Sequence, residues 1–219
     1  MKQYVIIVAG GSGSRMGSDV PKQFLLLKDR PLIFHTIEKF HIALPHCKII
    51  VVLPSVHLEY WNELLSQYHF TINHQVVAGG KSRFESVKNG MKMISEECVV
   101  GVHDAVRPLI SINNIQALFA AAQEKGNAVP FTPCKDSLRQ INGVENKAVA
   151  RENFVLIQTP QCFKRSEIVA GYEGEEQSSF TDDASVYEYL GGRINLVQGD
   201  DFNIKITYPS DLKYAEGLI

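Results

Sequence analysis

The sequence has no long apolar run and no excess of one charge. No stretch reaches the roughly 18 consecutive apolar residues that a membrane-spanning helix needs. The short apolar run at the N-terminus passes into glycines, without the cleavage pattern of a secretory signal. The 22 Lys and Arg residues nearly balance the 24 Asp and Glu residues, so the formal net charge is −2. We therefore expect a chain that binds neither a membrane nor nucleic acid, and that meets any anionic ligand with local charge.

Paired metal ligands and paired cysteines are also missing. The four cysteines are far apart in the sequence and form no CxxC motif, and the seven histidines form no HExxH motif. Neither a zinc site nor a disulfide framework is predicted. A reducing, cytoplasmic location is the simplest expectation for such a chain.

The two commonest nucleotide-binding loops are absent. The dinucleotide pattern GxGxxG would need a glycine at position 16, where the sequence has Met16. Gly80-Lys81-Ser82 resembles the end of the ATPase loop, but Gln75 occupies the position of its first glycine. A phosphate-binding loop of another kind is needed if the chain binds a nucleotide.

What the sequence does contain is an alternation of two patterns. Short, β-branched apolar runs predict strands that are buried on both faces. Amphipathic segments between them predict helices. The predicted strands are 4–8, 48–53, 74–78, 98–103 and 127–131, and the predicted helices are 31–44, 55–68, 82–94 and 111–125. This alternation predicts an α/β fold of the Rossmann-like type, with a mostly parallel sheet and helices on both faces, in a single domain of residues 1–219.

The pattern changes after Pro133. Two polar, β-capable runs are joined by Asn142-Gly143, which is a favoured two-residue hairpin turn. An isolated hairpin is marginal in water, so residues 134–153 are predicted to form a β-arm that lies on something else. A second subunit is one candidate and the arm's own domain is the other. Helices near 165–173 and 181–190, strands at 193–197 and 203–207, and a helix from Pro209 are predicted to follow.

A glycine-rich loop follows the first predicted strand. Gly10, Gly11 and Gly13 come directly after Ala9, and Arg15 and Lys22 follow them. Ligands of open α/β sheets bind beyond the carboxyl ends of the strands, and glycines let backbone N–H groups approach a phosphate closely. Although a plain tight turn would also use glycines, the two cations favour a phosphate site.

These residues belong to a longer set of motifs. The stretch AGGSGSRMGSDVPKQF resembles the signature of the sugar-phosphate nucleotidyltransferases. Taken with further motifs in the same chain order, it resembles the 2-C-methyl-D-erythritol 4-phosphate cytidylyltransferase family from the first strand to the last helix. The further motifs are GGKSRFESV at 79–87, HDAVRP at 103–108, TPQCF at 159–163, TDDAS at 181–185 and NIKIT at 203–207.

The resemblance implies a nucleotidyltransferase (GT-A-like) fold and a Mg²⁺-dependent reaction. In that reaction CTP and methylerythritol phosphate give the CDP-alcohol and pyrophosphate, in the non-mevalonate route to isoprenoid precursors. It also implies a homodimer in which the β-arm crosses to the neighbouring subunit. Both reactants are anions, so alignment and charge neutralisation are expected to dominate catalysis.

Site residues follow from the matched motifs. Arg15 and Lys22 are expected to hold the triphosphate and to stabilise the charge at the α-phosphate. Asp104 is expected to lie near both substrates and to be the candidate protein ligand of Mg²⁺, which is bound mainly by the CTP phosphates. The resemblance places the nucleotide against Ala9, Gly10, Gly11, Gly13, Gly80, Ser86, Asp104 and Ala105.

The methylerythritol phosphate site is implied at Asp104, Ser137, Arg151, Thr181 and Lys205, with Arg151 and Lys205 also counted as catalytic. Ser137 stands where threonine is common in the family, and Lys81 stands where one member has an acidic residue. No chemistry is expected of Arg83. Arg107 is expected to be an ion-pair partner of Asp104 rather than a catalytic group.

Three other functions stay open at this point. A ribitol 5-phosphate cytidylyltransferase shares much of the same motif set. An NAD-type oxidoreductase would use a similar sheet, although the missing GxGxxG argues against it. A non-catalytic nucleotide-binding module is the third, and the joint presence of Arg15, Lys22, Asp104 and Lys205 argues against it.

Overall fold

The computed structural model describes residues 1–11, 16–17 and 20–219. Gly13 and Arg15, which are both predicted site residues, lie outside these ranges.

Up to residue 133 the predicted strands and helices alternate as the sequence patterns indicate, and beyond it strands and helices follow one another in groups. The strands are β1 (Lys2–Val8), β2 (Leu26–Leu27), β3 (Arg30–Pro31), β4 (Lys48–Leu53), β5 (Gln75–Ala78), β6 (Cys98–Asp104), β7 (Asn127–Pro133), β8 (Leu138–Asn142), β9 (Glu145–Val149), β10 (Val155–Ile157), β11 (Gln161–Lys164) and β12 (Leu196–Gln198). The helices are α1 (Leu32–Ala43), α2 (Leu58–Gln67), α3 (Arg83–Lys92), α4 (Ile112–Lys125), α5 (Arg165–Glu173), α6 (Asp183–Tyr189) and α7 (Pro209–Glu216).

The main sheet of the described chain has the order β10-β7-β11-β6-β1-β4-β5, and β12 also pairs with β7. Strands β6, β1, β4 and β5 are parallel neighbours. The register places Val8, the last residue of β1, opposite Val52 on one side and Asp104 on the other. The carboxyl ends of these strands therefore meet at one edge of the sheet, and the loops that follow them converge there.

Two antiparallel strands of the main sheet were not predicted. Strand β11 lies between β6 and β7 and runs antiparallel to both, and β10 pairs antiparallel with β7. The α/β fold with a mostly parallel sheet is confirmed, but the sheet is mixed. Strand β10 escaped prediction because all three of its residues are exposed, and β11 because it has only four residues.

The core lies on both faces of the sheet, and β1 divides between them. Val5 and Ile7 pack with the large aromatic residues of α1, α2 and α4. Tyr4 and Ile6 pack on the opposite face, against α3, α5 and α6. Side chains of a strand alternate between faces, so a strand that is apolar on both sides must be covered on both.

The β-arm pairs only with itself among the described strands. Strands β8 and β9 form a two-stranded sheet in which Asn142 is opposite Glu145, so Gly143 and Val144 form the loop. The predicted loop, Asn142-Gly143, is wrong by one residue. Gly143 has φ +59°, as the first position of a type II′ turn requires, and glycine adopts that φ without strain.

The predicted strand at 203–207 is wrong, and the one predicted at 193–197 is observed as β12, three residues further on at its start. Residues 203–207 have no regular structure. They are held by a backbone bond from Ile206 N to Val106 O of 2.9 Å and by side-chain bonds of Asn203. The alternating pattern of NIKIT indicates a segment with one buried face, and that segment is irregular rather than a strand.

No helix among the described residues is long and apolar enough to cross a membrane.

Gly101 of β6 provides a test of the sheet packing. A Cβ at this position would lie 2.8 Å from Cζ of Phe119 and 3.3 Å from Sγ of Cys162. Phe119 is 1% exposed and cannot swing into solvent. We expect Gly101→Ala to lower the free energy of unfolding by about 1–3 kcal/mol, the usual cost of overpacking, as measured by urea denaturation.

Gly174→Ala is the matched control, because no described atom lies nearer than 3.5 Å to its added Cβ. Its free energy of unfolding should stay within about 0.5 kcal/mol of the parent value. Equal losses in the two variants would contradict the packing described for Gly101.

Candidate active site

A cavity of about 220 Å³ lies at the edge where the parallel strands end. Its walls come from the loop after β1, from the start of α3, from the end of β6 and from the irregular segment at 203–207. Ligands of open α/β sheets bind at this edge. The lining residues are Val8, Ala9, Gly10, Gly11, Lys22, Gln23, Gly80, Lys81, Ser82, Arg83, Ser86, Asp104, Val106 and Lys205.

The loop after β1 is tied to the sheet and to Lys22. Ala9 N donates to Val52 O at 2.9 Å, and Gln23 Nε2 donates to Ala9 O at 2.7 Å. Lys22 is 8% exposed and begins a short 3₁₀ helix, Lys22–Phe24. A Cβ on Gly11 would lie 3.2 Å from Cε of Lys22, so glycine lets the lysine chain lie flat against the loop backbone.

The opposite wall is the N-terminus of α3. Ser82 caps the helix by accepting a bond from Glu85 N at 3.0 Å. Ser86 Oγ accepts from Gly80 N at 3.2 Å and donates to Ser82 O at 2.8 Å. A Cβ on Gly80 would lie 2.2 Å from Cβ of Glu85, so only glycine fits in this turn. Gly80 and Ser86 are thus held together beside the free N–H groups of the helix.

Asp104 is the centre of charge in the cavity. Of the described cations, Lys205 Nζ lies 3.1 Å from Oδ2, Arg107 Nε 3.3 Å from Oδ2 and Arg83 Nε 3.8 Å from Oδ1. Burial alone would raise the pKa of Asp104, but Arg83, Lys205 and Arg107 together hold it well below its ordinary value of 3.8. The carboxylate therefore stays ionised at neutral pH, and the Arg107 ion pair is observed as expected.

Arg83 is a cavity residue that sequence reasoning left without a role. Its guanidinium donates to both carboxylate oxygens of Asp183, at 3.1 and 2.6 Å, and Asp183 is fully buried. Burial would lower the pKa of Arg83, but Asp183 and Asp104 raise it, so the guanidinium stays charged. Arg83 thereby joins α3 to α6 and turns its Nε toward Asp104. The presence of Arg83 in one motif and Asp183 in another was the available signal.

His103 lies beneath Asp104, fully buried and uncharged. Its Nδ1 is 3.0 Å from Thr159 Oγ1 and its Nε2 is 3.2 Å from Arg107 O. Asp104 N donates to the same Thr159 oxygen at 3.1 Å. The Arg107 carbonyl can only accept, so Nε2 carries the proton and donates to it, and in the neutral ring Nδ1 is then the acceptor of the Thr159 hydroxyl proton. Burial lowers the pKa of His103 to about 4, so this tautomer persists at neutral pH.

The structure brings some of the predicted site residues together and leaves others apart. Ala9, Gly10, Gly11, Lys22, Gly80, Ser86, Asp104 and Lys205 line the cavity. Ala105 is buried behind it, where its N donates to Val8 O at 3.0 Å and its O accepts from Thr36 Oγ1 at 2.8 Å.

Ser137, Arg151 and Thr181 are exposed and do not line the cavity. Arg151 Nη1 donates to Lys135 O at 2.6 Å, and its Nε lies 3.7 Å from Glu152 Oε1. Arg151 and Ser137 belong to the arm, in which Lys135 and Asp136 line a neighbouring groove together with Lys205. Thr181 N donates to Ser185 Oγ at 3.0 Å, at the start of α6.

A magnesium ion carried by phosphates would fit the donor set. No group of three or more His, Cys, Asp or Glu side chains within the described ranges could hold a metal ion alone. Asp104 supplies one carboxylate to the cavity, and its Oδ1 is the oxygen farther from the cations. Magnesium often binds through substrate phosphates and one or two carboxylates.

Several known proteins that are similar to this chain belong to the family that its motifs resemble. The family model for 2-C-methyl-D-erythritol 4-phosphate cytidylyltransferase matches residues 3–219. The chain belongs to this family. It is 46% identical over 220 residues to the enzyme of that name from Porphyromonas gingivalis, covering 100% of this chain and 98% of the relative.

Solved structures agree with the family. The Francisella tularensis 2-C-methyl-D-erythritol 4-phosphate cytidylyltransferase superimposes with a TM-score of 0.84 at 31% identity, covering 100% of both chains. The bifunctional IspDF of Campylobacter jejuni superimposes with a TM-score of 0.82 at 30% identity, covering 97% of this chain and 54% of that one. The resemblance predicted from the motifs and the nucleotidyltransferase fold are confirmed, and a dehydrogenase of the NAD type is excluded.

Replacing Asp104 tests the ion cluster. Asp104→Asn would leave three cations facing one another, so we expect the free energy of unfolding to fall by about 2 kcal/mol, less than for a dry pair because Lys205 is 41% exposed. The difference from the parent should be constant above about pH 5. This stability difference should shrink as the pH falls below 3.8, because Asp104 is then protonated in the unfolded chain but still ionised in the folded one.

Urea denaturation between pH 3 and 8 gives both quantities. Asp201→Asn is the control, because the Asp201–Lys135 pair is 53% and 68% exposed and should contribute less than about 0.5 kcal/mol. A stability difference for Asp104→Asn that is as small as this control would disprove the cluster's contribution.

Proposed function

We propose that the chain transfers CMP from CTP to 2-C-methyl-D-erythritol 4-phosphate, giving CDP-methylerythritol and pyrophosphate. The observation that supports this proposal is that Lys22, Asp104 and Lys205 lie on the walls of a single cavity beside the β1 loop. The chain that holds them there matches the family over residues 3–219. The reaction belongs to isoprenoid precursor synthesis by the non-mevalonate route. The single domain of residues 1–219 and a cytoplasmic location remain predictions.

The proposed chemistry is an in-line displacement at phosphorus. A phosphate oxygen of the alcohol phosphate attacks the α-phosphorus of CTP, and the new P–O bond replaces the bond to the oxygen that bridges to the β-phosphate. The electron pair leaves with pyrophosphate. A phosphate nucleophile is already ionised near neutral pH, so no strong general base is needed, and alignment and charge stabilisation supply the rate.

The described residues divide this work between the two walls. Backbone groups of Ala9, Gly10 and Gly11 would cradle the phosphates, with Gly13 completing the loop. Lys22, together with Arg15, would stabilise the negative charge that develops at the α-phosphate. Gly80 and Ser86 lie across the cavity, next to the helix N-terminus, and would bind the cytosine, while Ala105 supports the ribose end from behind.

A bound magnesium ion would neutralise the phosphate charge and help to orient the triphosphate. Asp104 is the residue that would hold it. The same carboxylate keeps Lys205 at 3.1 Å, so one group serves the metal and the acceptor side of the cavity.

The acceptor phosphate would bind at Lys205. This lysine lines both the cavity and a neighbouring groove of about 420 Å³, which also includes Lys135, Asp136 and Leu156. The groove lies at the base of the arm. A phosphate seated there would be within reach of Lys205 and of cations that come from outside the chain, and Thr181 would contribute from the α6 side.

We also propose a homodimer in which the arm completes the partner's site. Phe154, Val155, Leu156 and Ile157 form an apolar run at the sheet edge, between 37% and 56% exposed, and Val144 at the arm tip is fully exposed. A second copy would cover this run. Arg151 would then reach the neighbouring acceptor phosphate, for which a guanidinium is well suited, and Ser137 would accompany it.

The proposed function is tested by pyrophosphate release from CTP and a panel of polyol phosphates with Mg²⁺ present, with products identified by mass spectrometry. Methylerythritol phosphate should give the fastest turnover. Preferred turnover of ribitol 5-phosphate would replace the acceptor with that of the second candidate, and CTP binding without turnover would leave only a binding module.

Lys22 should dominate the chemical step. Lys22→Ala removes a cation that is 8% exposed, so its charge is little screened by water. We expect kcat to fall by about a hundredfold or more, as when one preorganised donor to a developing charge is removed. Lys92→Ala, at the exposed end of α3, is the control and should retain the parent kcat. A Lys22 variant with parent turnover would contradict the assigned role.

Mixing two inactive variants tests the crossing arm. If Arg151 serves the partner's site, co-expressed Arg151→Ala and Lys22→Ala chains form mixed dimers in which one of the two sites has both residues. Random pairing should then restore about a quarter of the parent activity. If Arg151 serves its own chain, every site in the mixture lacks one residue, and activity should stay at the level of the separate variants.

A further inference from the structure

Lys205 lies in an irregular segment, yet its ammonium is held 3.1 Å from Asp104. We propose that Asn203 is the positioning residue that fixes Lys205 there, with Gln158 supporting it. This inference rests on the proposed function, in which Lys205 binds the acceptor phosphate. Asn203 does not line the cavity; it lies in the wall of the neighbouring groove, as Gln158 does, and is fully buried there.

Asn203 is fully buried and bonded through both its side chain and its backbone. Its Nδ2 donates to Thr159 O at 2.8 Å, and its backbone N donates to Asp200 O at 2.9 Å. Its backbone O accepts from Arg107 Nη1 at 2.8 Å. Its Oδ1 has no hydrogen-bond partner among the described residues, so the side chain is held through Nδ2, which donates to Thr159 O and, at 3.5 Å, lies within reach of Gln158 Oε1.

These bonds connect Asn203 to Asp104 by two routes. Thr159, whose carbonyl accepts from Asn203, also accepts from the backbone N of Asp104 through its hydroxyl, at 3.1 Å. Arg107, which donates to the Asn203 carbonyl through Nη1, donates to the Asp104 carboxylate through Nε at 3.3 Å. The backbone two residues before Lys205 is therefore fixed relative to both the main chain and the carboxylate of Asp104.

The backbone on the other side of Lys205 is fixed as well. Ile206 is fully buried among Leu27, Leu32, Val106 and Ala215, and its N donates to Val106 O at 2.9 Å. Lys205 thus lies between two anchored residues, so its backbone is fixed and its side chain reaches Asp104 from a defined starting point. A lysine side chain loses much rotamer freedom when its ammonium is fixed, so an anchored backbone lowers the cost of presenting it.

Gln158 supports Asn203 from the end of the strand before Thr159. Its Nε2 donates to Asp200 O at 2.8 Å, and its Oε1 accepts from Asp200 N at 3.2 Å. It is 7% exposed. The two bonds close the turn that leads into Asn203.

Kinetics of Asn203→Ala provide the test. If Asn203 positions Lys205, the KM for methylerythritol phosphate should rise about tenfold or more, because small displacements of a positioning group are costly. The KM for CTP should stay within about twofold, since the nucleotide loops are on other elements. Asn127→Ala is the matched control: Asn127 is 1% exposed and links two segments through Arg193 O and Asn195 N, away from the cavity.

A loss of stability alone would affect both asparagine variants, so the acceptor KM must rise in Asn203→Ala and not in Asn127→Ala. Equal acceptor KM values in the two variants would overturn the proposal while leaving the proposed function intact. Gln158→Met keeps the side-chain volume and removes the amide, so it should also raise the acceptor KM, by less than Asn203→Ala does. This variant replaces Asn203→Ala in the test if Asn203→Ala does not fold.

Crystal structures of the variants test the positioning without any turnover. Lys205 Nζ should leave Asp104 Oδ2 in Asn203→Ala, or in Gln158→Met if only that variant folds, and should stay at the parent distance in Asn127→Ala. An unmoved lysine would reject the role of Asn203. If the parent protein turned over no polyol phosphate, the proposed function would fail, and these structures would still decide whether Asn203 fixes Lys205.

Discussion

The arrangement of the site depends on one buried carboxylate. Asp104 ends the central strand β6, and the cations around it come from three different parts of the chain: Arg83 from α3, Arg107 from the turn after β6 and Lys205 from the segment before α7. Without the negative charge these side chains would repel one another. Core packing brings these elements to one edge of the sheet, and the ion cluster fixes how their charged side chains lie there.

This arrangement also explains why a chain with almost no net charge can handle two anionic reactants. Lys22, Arg83 and Lys205 all line the cavity, whereas Asp104 is the carboxylate that the described residues place there. The local field is positive although the formal charge of the chain is −2. A site of this kind concentrates polyanions without making the whole surface adhesive to nucleic acid.

The sequence predicted the parallel half of the fold well and the irregular half poorly. Strands β4 and β6 are runs of β-branched residues buried on both faces, and such runs have few other ways to fold. Residues 203–207 also contain β-branched residues, from which a strand was predicted, but Asn203 makes side-chain bonds in place of a ladder and the segment is irregular. Lys22 and Asp104 could be placed because they follow strands at the binding edge.

The positions of the arm residues relative to the cavity could not be predicted from the sequence. Ser137 and Arg151 match family motifs, yet neither lines the cavity of the chain that carries them, and the proposed crossing of the arm is the arrangement that would give them a role. Arg83 was missed for a different reason. Its acidic partner, Asp183, is 100 residues further along the chain, and α5, which packs against both α3 and α6, is what brings the two together in the fold.

Strand β11 has a consequence for synthesis on the ribosome. It fills the gap between β6 and β7, but it lies at 161–164, after the whole arm has been made. The growing chain can pair β1, β4, β5 and β6 early, while the middle of the sheet keeps an open edge until three quarters of the polypeptide has emerged. Pairings that bridge such distances slow folding, and an unfilled edge invites other strands, so this enzyme's nascent chain is most vulnerable to mispairing late in its elongation.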